Sequence, residues 1–128
     1  MPRSRTLTLA GAVLVLTACS GGGSSPAGPS PEVTTYQMVI SADGALTPSE
    51  ITVPAGSRVL FINNHTRPHQ IASDPHPEHD SCPPMDQVGV LQPGERRESG
   101  NFVIARTCGL HDHIEFANTA LRGRIVIR

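Results

Sequence analysis

Six histidines and three cysteines are the residues of this chain whose side chains could do chemistry. A thiolate with imidazoles nearby is a donor set that suits copper or zinc. The paired Cys-x-x-Cys spacing of a structural zinc site does not occur in the sequence, so a ligand set drawn from distant parts of the chain is favoured. The best candidates are Cys108-Gly-Leu-His111-Asp-His113 and, far upstream, His69.

Short strands must position these residues, because glycine and proline are too frequent for long helices. The chain has 12 Gly and 12 Pro among 128 residues, and no segment of ten residues keeps a helical hydrophobic period. The pattern predicts roughly six to eight short strands with frequent turns, which is typical of a β-sandwich. Strands are expected over 33–40, 51–53, 58–63, 69–72, 87–91, 101–107 and 121–128, and a long loop over 73–86.

The order of several short motifs resembles the plastocyanin family of cupredoxins. An apolar strand, Asn63-Asn64, a short turn and Pro68-His69 are similar to the family's copper-binding histidine segment. Cys108-x-x-His111 and Leu121-Arg-Gly-Arg-Ile-Val-Ile127 resemble its ligand loop and last strand. The resemblance covers residues 48–128 and implies a Greek-key sandwich with a type 1 copper site that passes single electrons.

The resemblance also implies the ligands. One copper ion would be held by His69, Cys108 and His111, with His113 as the alternative ring ligand at the spacing that azurin uses. The backbone N–H of Gln70 would donate to the ligand sulfur and tune its potential.

The axial position of the implied site departs from the family, because no methionine follows Met85. Leu121 stands where the family's methionine is expected, and the two-residue period of the last strand turns it inward with Ile125 and Ile127. Leucine cannot donate to a metal. The resemblance therefore implies a reduction potential on the high side for this fold.

Cysteine chemistry leaves a different outcome open. In an oxidising compartment Cys82 and Cys108 can form a disulfide, which would remove the thiolate. The alternatives to an electron shuttle are then a metal-free binding module or a copper carrier with histidine-rich loops. His65, His76 and His79 are expected to be solvated turn residues. The sequence shows neither a Ser-His-Asp set nor a pair of carboxylates with an evident catalytic role, so the protein is not expected to be an enzyme.

The N-terminus predicts an export signal and a lipid anchor. Arg3 and Arg5 precede an apolar run, and Leu16-Thr-Ala-Cys19 resembles the lipobox of bacterial lipoproteins, in which the cysteine is lipidated. Residues 1–18 are then a signal peptide, 19–31 the lipidated Cys19 with a Gly/Ser/Pro linker, and 32–128 the cupredoxin-like domain. The expected location is extracytoplasmic, in the periplasm or at the cell surface, on a bacterial membrane.

Composition limits the partners. The formal net charge is −1, and no run of like charge offers a surface for nucleic acid. The expected partners are redox proteins and, through the lipid, a membrane, and the protein is expected to be a monomer.

Overall fold

The computed structural model describes residues 35–128. The predicted signal peptide, Cys19 and the linker lie outside the described residues. Within 35–128, no helix has the length and apolar character needed to cross a bilayer.

In residues 35–128, nine strands form two sheets that pack as a sandwich. The strands are β1 Tyr36–Ile40, β2 Leu46–Thr47, β3 Glu50–Val53, β4 Val59–Asn63, β5 His69–Ser73, β6 Gly89–Leu91, β7 Arg96–Glu98, β8 Thr107–Asp112 and β9 Gly123–Ile127. Sheet one has four strands in the order β2-β1-β4-β7, and sheet two has five in the order β3-β9-β8-β5-β6. β1 with β4 and β3 with β9 are parallel pairs, and the other neighbours are antiparallel. The predicted all-β sandwich is confirmed.

Alternating side chains from both sheets build the core, as the period of a strand requires. In β1, Met38 and Ile40 are buried, and in β9 Ile125 and Ile127 are buried. Phe61 of the central strand β4 is 1% exposed. Aliphatic side chains therefore supply most of the core, with Phe61 and Phe102 as its large rings.

The predicted strand over 101–107 is wrong in position. The strand β8 begins at Thr107 and runs to Asp112, and of the six residues before it only Phe102 forms an isolated bridge, with Ser57. Val103 and Ile104 are 65% and 57% exposed, so the apolar pair that suggested a strand packs against no sheet. Because β8 starts later and ends at Asp112, His111 lies inside this strand rather than in a loop, and His113 follows the strand directly.

The predicted long loop over 73–86 contains a short helix, α1 Pro83–Asp86, which begins with two prolines. Met85 of α1 is fully buried, and the Asp86 carboxylate accepts from both the backbone N–H and the hydroxyl of Ser73. The loop that remains, residues 74–82, therefore lies between Ser73 of β5 and a helix that is itself bonded to Ser73.

Candidate metal centre

Four histidines converge on the outer face of sheet two, and we call them the four-histidine site: His76, His79, His111 and His113. His76 and His79 lie on the loop 74–82, while His111 is in β8 and His113 follows it directly. One ring nitrogen from each lies within 4.8 Å of the others. His111 and His113 share a face because strand side chains alternate with a period of two.

A carboxylate fixes the ring of His111. His111 is 1% exposed, and its Nδ1–H donates to Asp74 Oδ1 at 2.6 Å. The other nitrogen, Nε2, is buried and has no hydrogen-bond partner. Gly109 makes room for the carboxylate, since a Cβ at that position would lie 2.2 Å from Asp74 Oδ2. An imidazole oriented by a carboxylate, with its second nitrogen free, is the common arrangement of a metal-binding histidine.

A backbone carbonyl fixes the ring of His79. Nδ1–H donates to the carbonyl oxygen of Ser73 at 2.9 Å, which leaves Nε2 as the nitrogen available to a ligand. The residue has a φ of 54°, in the left-handed region that side chains other than glycine rarely adopt. Such conformations concentrate at functional sites, where surrounding contacts compensate their cost.

The ring of His76 forms one wall of the site. It stacks on Phe116 with ring centroids 4.2 Å apart, and its Nδ1 is buried without a partner. Burial, and then the neighbouring imidazoles of the site, hold the pKa of His76 below its usual value. The ring therefore stays neutral to a lower pH than a free histidine does, and the neutral form is the one that binds a metal.

His113 completes the set. Its Nδ1 lies 2.8 Å from His79 Nε2, so in the neutral site it donates the proton that this nitrogen accepts. A tetrahedral ion with bonds of about 2.05 Å needs nitrogens about 3.3 Å apart. Because no two of these nitrogens are more than 4.8 Å apart, no pair has to close by more than about 1.5 Å. The four rings can therefore hold one transition-metal ion through nitrogen alone.

A second histidine group lies at the start of β5, and we call it the inner pair: His69, which is buried, and His65, which is half-buried in the turn before it. His69 is fully buried, its Nδ1–H donates to Asp112 Oδ2 at 2.6 Å, and its Nε2 lies 2.8 Å from His65 Nδ1. The second oxygen of Asp112 accepts from the backbone N–H of Gln70 and of Ile114. Both ring nitrogens of His69 thus have a partner within the protein.

Comparison with known proteins gives structural matches only. No family model matches the sequence. No curated protein matches it either. Among solved structures, a purple cupredoxin from Nitrosopumilus maritimus is 17% identical with a TM-score of 0.53, covering 73% of this chain and 99% of that one. Oxidised plastocyanin from Dryopteris crassirhizoma is 16% identical with a TM-score of 0.56, covering 73% and 100%. A Cu-containing nitrite reductase from Thermus scotoductus SA-01 is 17% identical with a TM-score of 0.54, covering 73% and 22%.

This chain has a cupredoxin-like fold. The resemblance of motifs in the sequence is thereby confirmed at the level of the fold, because plastocyanin and a cupredoxin are among its structural neighbours. At these identities the likeness does not extend to ligands, so the cupredoxin-like domain must be judged on its own side chains.

The predicted thiolate ligand is wrong, because Cys108 forms a disulfide with Cys82. Their Cα atoms are 5.9 Å apart, within the usual span for a disulfide. Cys108 pairs with Ile125 of β9, four residues before the end of β8, so about 13 Å of strand separates it from Asp112, which bonds His69. It also faces the core with Leu110, whereas His111, three residues later, faces outward.

The other predicted ligands are divided between the two groups. His111 and His113 lie together in the four-histidine site, while His69 belongs to the inner pair. The N–H of Gln70 does make the expected type of hydrogen bond, but its acceptor is the Asp112 carboxylate rather than a sulfur. Leu121 is 2% exposed, as its inward orientation required, but it ends a 3-10 helix, Thr119–Leu121, instead of beginning the last strand. Its axial role depended on the thiolate site.

Sequence reasoning missed His76 and His79, which were expected to be solvated. The spacings His-x-x-His and His-x-His were the available signal, since each can place two imidazoles on one side of a turn or strand. Their convergence depends on how the loop 74–82 folds over β8, which neither spacing reveals.

Proposed function

We propose that the protein binds one copper ion at the four-histidine site and carries it outside the cytoplasm. The observation that supports this most directly is the convergence of one ring nitrogen from each of four histidines, in a site where His111 Nε2 and His76 Nδ1 are buried without a partner. A buried polar atom without a partner costs free energy, and a bound ion would recover it.

The donor set fits copper, and the structural neighbours favour copper over other ions that the same donors would accept. Imidazole nitrogen suits copper, zinc, iron and nickel, and Cu(II) binds most tightly among the divalent ions of this series. The nitrite reductase among the structural neighbours contains copper. Three rings are partly exposed and one is buried, an arrangement that lets an ion enter from solvent and leave again, as a carrier requires.

The cysteines support an extracytoplasmic location. A buried disulfide persists in an oxidising compartment and is rare in the cytosol. Together with the lipobox-like Leu16-Thr-Ala-Cys19 this leads us to place the domain on a bacterial membrane through lipidated Cys19. Cys19→Ala should release the protein from washed membranes with its fold intact, and a variant that stays membrane-bound would contradict the anchor.

An electron shuttle is the second candidate, supported by the likeness of the fold to plastocyanin. It would use copper held by imidazoles instead of thiolate-bound copper. A shuttle must keep copper through repeated reduction and oxidation, whereas a carrier exchanges it with a partner. The protein is proposed to be a binding protein in either case and not an enzyme.

Titration of the full chain, with Cys19 replaced by alanine, tests the proposal. We expect one Cu(II) per chain, weak visible absorption and electron paramagnetic resonance splitting from ring nitrogens. Intense visible absorption would indicate a thiolate ligand and overturn the four-histidine assignment. Absence of binding in neutral buffer would favour the metal-free module.

A further inference from the structure

We propose that the Cys82–Cys108 disulfide gates the four-histidine site, so that its reduction by a dithiol weakens metal binding and frees the ion. This inference rests on the proposed metal-binding function. It goes beyond that function, because metal binding does not require a disulfide between the loop that carries His76 and His79 and the strand that leads to His111 and His113.

The disulfide joins the two halves of the site. Cys82 comes three residues after His79, and Cys108 comes three residues before His111. A single covalent path therefore runs from one ligand pair to the other through the disulfide, with two residues between each cysteine and the nearest histidine. Without the disulfide, the shortest path from His79 to His111 follows the chain through α1, β6 and β7. A short link raises the effective concentration of one ligand pair near the other.

Other contacts hold the loop 74–82 less completely. At its start, the N–H of Asp74 donates to Gly109 of β8, so this end is part of the sheet. At its far end, the N–H of Ser81 donates to the carbonyl of Asp74, and Arg106 donates to the carbonyl of Ser81 in an exposed hydrogen bond. His79 and helix α1 are both bonded to Ser73 of β5, the helix through Asp86. These contacts keep the loop nearby after reduction, but within residues 35–128 the disulfide is the one bond that joins its far end directly to β8.

Reduction would not create new ligands at the site. The Cys108 side chain points into the core with Leu110, on the face of β8 opposite His111. The two thiols formed would thus lie on the inner face, away from the imidazoles. Reduction loosens the ligand geometry without replacing a nitrogen by a sulfur.

Both cysteines are at most 1% exposed, and a surface cavity beside Cys82 is the route by which a reductant would approach the bond. Its volume is about 210 Å³, Cys82 lies in its wall, and Pro83, Phe102, Ile104 and Arg106 are among its other lining residues. A thiolate of the dithiol attacks the Cys82 sulfur and displaces Cys108 as a thiolate, which takes up a proton. The second thiol of the reductant then displaces Cys82. Two electrons and two protons pass from the dithiol to the cysteines, and the reductant leaves as a disulfide.

The test compares Cu(II) affinity with and without the disulfide, by competition with a chromophoric chelator. The parent is the full chain carrying Cys19→Ala, and the variant adds Cys82→Ala and Cys108→Ala, so that no thiol can reduce the copper. We expect the variant to bind Cu(II) about tenfold more weakly or worse. Val53→Ala is the matched control, because it removes buried methyl groups from edge strand β3, away from the site, and should leave the affinity unchanged.

A second measurement tests access by the reductant. The native parent, without denaturant, should yield two thiols per chain after treatment with a small dithiol. No thiols under these conditions, or equal Cu(II) affinity in parent and variant, would overturn the gating proposal. A parent that binds no Cu(II) would instead overturn the proposed function, so the two failures are distinguishable.

Discussion

The two groups of histidines lie on opposite faces of the same strand and differ in how their nitrogens are satisfied. Asp112 of β8 faces the interior and holds His69 of the inner pair, while the preceding residue, His111, faces outward into the four-histidine site. His69 has partners on both nitrogens, whereas His111 has one bonded nitrogen and one without a partner. Adjacent residues thus give one group that is closed by protein contacts and one that remains open to a ligand.

The difference indicates separate roles. A buried polar group whose hydrogen bonds are complete contributes to a unique fold, so the inner pair is expected to stabilise the sandwich. The rings of His111 and His79 are oriented by Asp74 and the Ser73 carbonyl, and their second nitrogens bond no group outside the four-histidine site, so they are prepared for an ion. Four experiments on variants of the two groups test this difference in role.

Removing a ligand from the four-histidine site should have the largest effect on Cu(II) affinity. His111→Ala deletes the most buried ring of the four-histidine site, and we expect Cu(II) affinity to fall more than roughly 100-fold, beyond what changes around a ligand typically cause. Chelator competition measures it. His65→Ala, in the inner pair, serves as the control and should bind copper as the parent does; a parallel loss in both variants would erase the distinction.

Removing His69 from the inner pair should lower the stability of the protein without lowering its affinity for copper. His69→Ala leaves Asp112 Oδ2 buried without its donor and creates a cavity beside it. We expect a loss of about 2 kcal/mol in the free energy of unfolding of the metal-free protein, measured with denaturant. Copper affinity of the folded variant should be unchanged, and a marked loss would return His69 to the ligand set.

Weakening the support of a ligand should have an intermediate effect. Asp74→Asn keeps the size of the side chain but removes the charge that orients His111, so Cu(II) affinity should fall by about 10- to 100-fold. Gly109→Ala should act in the same direction, since its methyl group would occupy the place of the Asp74 carboxylate. Full affinity in both variants, determined by the same competition, would mean that the carboxylate does not prepare the ligand.

Acid should loosen the open group by a small amount. The pKa of His76 is lowered in the folded protein, so below the ordinary histidine pKa of 6.5 the unfolded chain binds a proton at this residue more readily than the folded protein does. The contribution of His76 to stability is therefore complete above about pH 6.5 and is lost as the pH falls through the lowered folded pKa. Thermal unfolding of the metal-free protein at pH 7.5 and 5.5 should show a smaller difference for His76→Gln than for the parent. An equal difference in the two proteins would contradict this account.

The strands that carry strong alternation could be predicted from the sequence. Those around Met38, Phe61 and Ile125 lie where their apolar pattern indicated, because one side of each strand must be buried. The short edge strands β2 and β7 were not predicted, since all three residues of β7 are exposed and leave no hydrophobic signal. Val103 and Ile104 caused the opposite error: their apolar side chains predicted a strand, but both residues are exposed on the surface.

Half of the four-histidine site could be predicted. His111 and His113 stand out by their spacing. The prediction that Cys108 binds the same ion assumed that a loop begins at the cysteine. In the structure β8 continues through both Cys108 and His111, and the odd spacing of three residues puts their side chains on opposite faces.

The class of fold and the kinds of donor atoms available could be predicted from local features of the sequence. Hydrophobic period, turn residues and cysteine number are such features, and each is visible without knowing which segments meet. Three pairings became known from the folded chain alone: Cys82 bonds Cys108, Asp112 bonds His69, and His76 and His79 lie beside His111. Such pairings depend on the register of β8 against β5 and on the path of the loop 74–82. A shift of one residue in that register would exchange the inward and outward faces of every side chain in the strand.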